Sequence, residues 1–178
     1  NNILASIRTE DVHHPITRLI CLENTQNICG GVPLAAAYTR EVGELARKNN
    51  LSLHIDGARI FNAAATQNIS VRDLVDPADS VMFCLSKGLA SPVGSMLVGT
   101  SRFIARARHL RKMLGGGMRQ VGIIAAAGII SLEKMTKRLS DDHTRAQKLA
   151  DGLRQVKGIL VDEGSPYSNM VYLNLEND

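Results

Sequence analysis

The stretch from Ser80 to Gly88 constrains the fold most, because it joins an uncharged, largely apolar run to a lysine. A run of this kind suits a strand that is buried on both faces of a parallel sheet. Lys87 then lies at the carboxyl end of the strand, which is where open α/β sheets bind their ligands. A lysine in a dry pocket there can act as the nucleophilic amine that Schiff-base chemistry needs. The alternative is an ordinary surface lysine that begins a turn.

A second strand end carries a carboxylate. Residues 51–56 alternate apolar and polar side chains, so Asp56 ends a half-buried strand and needs a cationic partner. One ligand would explain both Lys87 and Asp56 if it offered an aldehyde to the amine and a protonated ring nitrogen to the carboxylate. Pyridoxal 5′-phosphate (PLP) is such a cofactor.

The remaining pattern predicts an α/β fold with a mostly parallel sheet and flanking helices. Residues 95–98 follow the preceding strand too closely for a helical crossover, so this strand is expected to run antiparallel. Two short strands near the end of the chain are expected to form a second, smaller unit. The predicted strands are 18–23, 51–56, 80–86, 95–98, 159–162 and 170–175, and the predicted helices are 34–49, 71–75, 101–114, 118–135 and 140–156.

Charge and composition argue against several classes of protein. The net charge is +4, which favours anionic ligands but is too small to indicate nucleic-acid binding. The basic residues of segment 102–112 alternate with an apolar stripe and lack interleaved aromatics, so a solvated helix face explains them. The three cysteines lack C-x-x-C spacing, which favours reduced thiols. With neither a membrane-length apolar run nor a signal peptide, we expect a cytoplasmic protein without membrane contact.

Five segments carry a resemblance to a known family: Leu22–Asn27, His54–Asn62, Leu85–Leu89, Pro92–Ser95 and Gly115–Gln120. In order and spacing they resemble the low-specificity L-threonine aldolases, a β-eliminating lyase group of PLP enzymes with the aspartate-aminotransferase-like fold (fold-type I). The likeness runs over nearly the whole chain. It implies retro-aldol cleavage of L-threonine or L-allo-threonine to glycine and acetaldehyde. It also implies an amino-acid substrate, a role in threonine catabolism and glycine biosynthesis, and a homo-oligomer, either dimer or tetramer.

The resemblance assigns roles by position. Lys87 matches the Schiff-base lysine, and Asp56 matches the partner of the pyridine nitrogen. Arg59 corresponds to the arginine near the cofactor's 3′-oxygen and the substrate carboxylate, where a planar two-pronged donor suits the carboxylate. Asn24 could hydrogen-bond the cofactor oxygen. Arg119 follows three glycines at a predicted helix start, and in the family it lies near the active site as a substrate-binding residue.

A base must take the proton of the substrate's β-hydroxyl group. His13 matches a histidine that the family places beside this hydroxyl, and imidazole titrates near neutral pH. An ordered water could do the same, and the adjacent His14 competes for the assignment. Gln26 departs from the family, which commonly has histidine there, so any acid–base task at that position is in doubt.

The chain is expected to be a fragment. It begins without methionine and ends directly after a predicted strand. The family's phosphate-binding segment and the histidine stacked on the pyridine ring lie upstream of the motifs seen here, and a substrate-binding arginine lies downstream. Residues 1–138 would then be part of the large PLP-binding domain, and residues 139–178 the start of the small α+β domain. Alone, the piece is expected to have little aldolase activity. A related PLP aminotransferase or β-lyase, or a non-catalytic truncated remnant, are the alternatives.

Overall fold

Three parallel strands form the centre of the structure, a computed structural model that describes residues 2–176. A short helix, α1 (Asn2–Ala5), precedes them and was not predicted. The strands alternate with helices in the order expected of an α/β protein. These elements are β1 (Leu19–Glu23), α2 (Ala36–Lys48), β2 (Ser52–Asp56), α3 (Ile60–Gln67), α4 (Val71–Val75) and β3 (Ser80–Cys84).

A fourth strand, β4 (Ser95–Gly99), pairs antiparallel with β3, as the short connection predicts. The strand order is β1-β2-β3-β4, with β1, β2 and β3 parallel. In this register Glu23 lies opposite Asp56, and Asp56 lies opposite Met82. The predicted α/β class with a mostly parallel sheet is therefore confirmed, and Asp56 ends its strand as expected.

Helices α2, α3 and α4 cover one face of the sheet because alternate strand residues are apolar. Leu53 is 1% exposed and packs in the cluster that joins β1 and β2 to α2. Ile55 is fully buried in a second cluster with Ile60 and Leu74. Burial of each such side chain contributes about 1.5–3 kcal/mol. Asp56 has the opposite parity and lies on the other face.

The basic helix α5 (Ser101–Met113) follows β4, close to the predicted range. The Thr100 hydroxyl caps its start by accepting a hydrogen bond from the Phe103 amide at 3.2 Å. Its end is made by glycine: Gly115 has a φ of 84°, and the Gly116 amide donates to the Arg111 carbonyl oxygen at 2.8 Å. The glycines therefore stop this helix, as predicted.

The predicted helix over 118–135 is shorter in the structure. Helix α6 (Gly122–Glu133) begins four residues later, and a 3₁₀ turn (Met135–Arg138) joins it to helix α7 (Leu139–Leu153). An apolar pattern alone does not mark a helix start, which depends on capping groups. Val121, which precedes α6, forms no side-chain cap, so this segment carries no start signal.

Two short strands, β5 (Ile159–Val161) and β6 (Leu173–Leu175), pair antiparallel in a separate sheet. The predicted division between residues 138 and 139 coincides with the start of α7 and stays a prediction. Contacts cross it: Leu139 packs with Leu85 and Leu89, and the Ser168 hydroxyl donates to the Gly31 carbonyl oxygen at 3.0 Å. Within residues 2–176, no helix has the length and apolar character needed to cross a membrane.

Candidate active site

Asp56 lies at the carboxyl edge of the parallel sheet, held between two neighbouring strands. Its backbone carbonyl accepts a hydrogen bond from the Asn24 amide at 2.8 Å, which ties the end of β2 to the end of β1. Its Oδ1 accepts from the Ala58 amide at 3.0 Å. The side chain is half-buried, and its second oxygen forms no hydrogen bond or ion pair with residues 2–176. That oxygen is therefore available to a ligand at the strand end.

Lys87 lies three residues beyond the last residue of β3, in a tight turn. The turn is closed by backbone hydrogen bonds: the Ala90 amide donates to the Lys87 carbonyl at 2.9 Å, and the Ser91 amide donates to the Leu85 carbonyl at 2.9 Å. Because β2 and β3 are parallel, their carboxyl ends lie at the same edge of the sheet. Asp56, which ends β2, and Lys87, which follows β3, are therefore both at this edge. Lys87 is exposed, so the dry pocket predicted from the sequence is not formed by the residues that the structure describes.

Arg59 lies at the start of α3, three residues after Asp56, and is half-buried. Within residues 2–176, the ion pairs join other side chains, and neither Arg59 nor Lys87 has a carboxylate partner within 4.0 Å. Two cations near one carboxylate-bearing edge are thus free to bind an anionic ligand. A guanidinium group offers the two-pronged geometry that a substrate carboxylate prefers.

Asn24 is fully buried, and both ends of its amide are in use. Its Oδ1 accepts from the Leu34 amide at 3.1 Å, and its Nδ2 donates to the Leu34 carbonyl oxygen at 3.3 Å. These bonds hold the loop between β1 and α2. Each end of the amide uses one of its two hydrogen-bonding positions in these bonds, and the cofactor contact expected of Asn24 stays a prediction.

The structure does not join His13 or Arg119 to the strand ends by any hydrogen bond or ion pair within residues 2–176. His13 lies in the irregular segment before β1, with its side chain 83% exposed, and its Nδ1 contacts Asp11 Oδ1 at 2.8 Å. Arg119 is exposed in the segment between α5 and α6, ahead of the helix start rather than at it. Their predicted roles stay predictions.

Two buried contacts that were not predicted from the sequence hold the Lys87 turn. On one side, the Ser91 and Ser131 hydroxyl oxygens lie 2.7 Å apart and link the turn to α6. On the other side, Gly88 packs against Asn62, whose Nδ2 lies 3.1 Å from Nε2 of His143. Asn62 belongs to one of the five family-like segments, but no sequence pattern pairs it with a histidine 81 residues away.

A second polar cleft, of about 450 Å³, lies at the opposite end of the sheet and is a weaker candidate. Three of its polar side chains already pair within the protein: Asp79 Oδ2 accepts from the Leu53 amide at 2.8 Å, and His54 Nδ1 lies 2.8 Å from the Ser80 hydroxyl. Among residues 2–176, no three His, Cys, Asp or Glu side chains are grouped as a metal site would require.

The groups at the carboxyl edge suit PLP by their chemistry. Among residues 2–176, the Lys87 amine and the Arg59 guanidinium lack an ion-pair partner, and Asp56 has one oxygen without a hydrogen bond. These groups match an aldehyde, an anionic group and a basic ring nitrogen, respectively. In this pairing Lys87 would hold the aldehyde carbon, Asp56 the ring nitrogen and Arg59 an anionic oxygen.

Comparison with known proteins identifies the family and several relatives of this chain. The sequence model of the beta-eliminating lyase family matches residues 1–176. Low-specificity L-threonine aldolase 1 of Arabidopsis thaliana is 49% identical over 164 residues, which are 92% of this chain and 46% of that protein. The low specificity L-threonine aldolase of Escherichia coli K12 is 46% identical over 155 residues, 87% of this chain and 46% of the relative.

A solved structure supports the fold. Leishmania major threonine aldolase superposes with a TM-score of 0.76 over 96% of this chain and 50% of that one, at 17% identity. The predicted aspartate-aminotransferase-like fold class is thereby confirmed. The chain spans about half the length of the curated relatives it matches. Because the family model covers all the described residues, this chain belongs to the beta-eliminating lyase family.

Proposed function

We propose that this chain carries the central part of a PLP-dependent threonine aldolase site, which cleaves L-threonine or L-allo-threonine to glycine and acetaldehyde. The observation that carries the proposal is the placement of Asp56 at the end of β2 and of Lys87 just beyond the adjacent parallel strand β3. Arg59 lies nearby and has no carboxylate partner among residues 2–176. Relatives that share nearly half of its residues bear the name low-specificity L-threonine aldolase, which supports this choice of substrate.

When bound, PLP supplies an aldehyde carbon for amines and a cationic ring that accepts electron density from a breaking bond. Asp56 would keep the ring nitrogen protonated, because its free oxygen accepts a charge-assisted hydrogen bond there. The Ala58 amide and the β1–β2 hydrogen bond fix the direction of this carboxylate. Asp56 thus acts through charge and orientation, and it needs no proton of its own.

Lys87 would bind the cofactor through its amine, and the amine of the substrate would displace it. The amine sits on a turn whose backbone is closed by two hydrogen bonds, so the side chain moves while its anchor stays fixed. Arg59 would bind the substrate carboxylate with two parallel N–H donors. This contact would orient the substrate so that its Cα–Cβ bond is the one that breaks.

Proton transfer from the β-hydroxyl group is assigned to His13 or to an ordered water. His13 is exposed and its Nδ1 contacts Asp11, which leaves Nε2 free to accept a proton. Arg119 is proposed to bind the substrate from the segment before α6. Asn24 is proposed to hydrogen-bond the cofactor oxygen from the loop that its bonds to Leu34 hold in place. The protein is proposed to act as a cytoplasmic homo-oligomer in threonine catabolism and glycine biosynthesis.

Release of glycine and acetaldehyde tests the proposal. Any glycine and acetaldehyde that the purified chain forms with PLP and either L-threonine or L-allo-threonine should appear in equal amounts, at the low rate expected of this chain alone, and Lys87→Ala should form neither. With a 2-oxo acid added as amino-group acceptor, a keto acid from threonine together with a new amino acid would indicate an aminotransferase. Ammonia with a keto acid, formed without that acceptor, would indicate a β-lyase. A chain that captures PLP at Lys87 but releases no product from any of these substrates would fit the truncated remnant.

A further inference from the structure

The Lys87 turn rests on a buried amide that does not belong to the proposed chemistry. Asn62, within α3, is 2% exposed. A Cβ atom added to Gly88 would lie 3.0 Å from Asn62 Oδ1 and 3.2 Å from Leu139 Cδ2. Gly88 is adjacent to Lys87 in the chain, so the backbone of the turn lies directly against this amide and against the first residue of α7. A shift of Asn62 would therefore shift the base of the lysine side chain.

His143 is the hydrogen-bonding partner of that amide. Its Nε2 lies 3.1 Å from Asn62 Nδ2, and its Nδ1 lies 3.3 Å from the Thr66 hydroxyl. In neutral imidazole one ring nitrogen accepts and the other donates. With Nδ2 donating to Nε2, the ring proton is on Nδ1 and is donated to Thr66, and Asn62 Oδ1 faces Gly88. The tautomer of the ring and the orientation of the amide are therefore coupled, so that a change in one requires a change in the other.

The surroundings of His143 favour this neutral form. Burial lowers the pKa of His143, and the adjacent Asp142 carboxylate opposes the shift without reversing it. Helix α3 presents Asn62 and Thr66 to the ring, both uncharged, and the charged neighbour Asp142 lies on α7 itself. A protonated ring would have two N–H donors and could no longer accept from Nδ2, so the amide would have to rotate.

We propose that Asn62 and His143 are positioning residues for Lys87, which hold the turn so that its amine meets the cofactor's aldehyde carbon in one direction. The inference rests on the proposed function, in which the neutral Lys87 amine bonds to that carbon and the carbonyl oxygen leaves as water with the two amine protons. Neither residue touches the reacting atoms. Their contribution is the geometry of approach, on which rates depend steeply.

Capture of PLP by Lys87 measures this directly. The chain is mixed with limiting PLP, reduced with borohydride at timed intervals, and the labelled Lys87 peptide is quantified by mass spectrometry between pH 5.5 and 8.5. Thermal unfolding of each variant is recorded in parallel. Asn62→Ala removes the amide, His143→Leu removes the orienting nitrogen, and His143→Gln keeps a neutral hydrogen-bonding group. Thr39→Val is the matched control, a fully buried site on α2 whose hydroxyl donates to Ala36 O at 3.0 Å.

We expect Asn62→Ala and His143→Leu to slow capture by about tenfold, since small displacements of a reacting group are costly. His143→Gln should restore most of the rate, and Thr39→Val should lower the melting temperature without slowing capture. Because burial lowers the pKa of His143, the ratio of the wild-type rate to the His143→Gln rate should fall only at a pH below the ordinary range of histidine titration.

Equal capture rates for wild type, Asn62→Ala and His143→Leu would overturn the inference while leaving the proposed function intact. The inference also fails if Thr39→Val slows capture as much as these two variants do, because loss of stability would then explain the effect. If Asn62→Ala does not fold, the comparison of His143→Leu with His143→Gln decides alone. No capture at Lys87 by the wild-type chain would overturn the proposed function itself.

Discussion

The Gly57 amide donates a hydrogen bond to the Met82 carbonyl oxygen at 2.8 Å, which ties the residue after Asp56 to the strand that leads to Lys87. A Cβ atom at position 57 would lie 2.8 Å from this oxygen and 2.9 Å from Ile60 Cβ. The Met82 backbone and the Ile60 side chain therefore leave no room for a Cβ atom at position 57. The close approach of the two strand ends therefore depends on the missing side chain.

Gly57→Ala should destabilise the protein by about 1–3 kcal/mol, because an added methyl group in a packed region forces the backbone apart. It should also weaken PLP binding, since the Asp56 edge moves. Urea denaturation and a PLP titration would measure the two effects. Gly152→Ala is the matched control: no atom lies within 4 Å of its added Cβ, and alanine favours the helix by up to about 1 kcal/mol. Equal losses in both variants would contradict the packing argument.

Asp56→Asn separates charge from structure at the strand end. The amide oxygen of asparagine can still accept from the Ala58 amide, so unfolding free energy should change little. The charge that holds the ring proton is lost, and glycine release should drop about a hundredfold or more. Asp56→Glu keeps the charge and should lose far less than Asp56→Ala. Full activity in Asp56→Asn would show that the carboxylate charge has no role.

The Ser91–Ser131 pair should behave as a coupled unit. Both residues are buried, and their hydroxyl oxygens lie 2.7 Å apart. Ser131→Ala leaves the Ser91 hydroxyl without its partner, at a cost of about 1–3 kcal/mol. Removing both hydroxyls should cost less than the sum of the single changes. A double-mutant cycle in urea measures this coupling, and strictly additive losses would mean that the two hydroxyls do not interact.

The free energy of unfolding should decrease as the pH falls below neutrality, because His143 is protonated more readily in the unfolded chain than in the folded one. Burial lowers its pKa in the folded state, so the unfolded chain takes up the proton at a higher pH than the folded one. As the pH falls below about 6.5, the unfolded state binds more protons and unfolding becomes easier, until the folded ring is protonated as well. Denaturant unfolding at several pH values should show a shallower decline in His143→Gln than in wild type. Identical declines would exclude His143 as the source.

The strands of the main sheet could be predicted closely because their signals are local. Alternation marks residues 52–56, and the strand ends are marked by Glu23 and Asp56. The antiparallel direction of β4 could be predicted because its connection to β3 is short. The end of α5 could be predicted because glycine readily adopts the conformations that terminate a helix. The predicted start of α6 was wrong because its first residues carry no capping signal.

The support of Lys87 could not be predicted from the sequence. Asn62 and His143 lie 81 residues apart, and only the packing of α7 on α3 brings them together. The exposure of Lys87 likewise depends on what covers the turn, which strand periodicity does not report. The bonds between Asn24 and the Leu34 backbone could not be predicted for a similar reason, since they join residues ten positions apart across a loop.

The site of covalent PLP attachment tests the central claim most directly. The protein would be mixed with PLP, reduced with borohydride and digested, and the labelled peptide identified by mass spectrometry. We predict a single reduced cofactor on Lys87 and none in Lys87→Ala, whereas Lys148→Ala, which alters another exposed lysine, should label as wild type does. Label spread over several lysines, or unchanged in Lys87→Ala, would contradict the assignment of Lys87 as the attachment site.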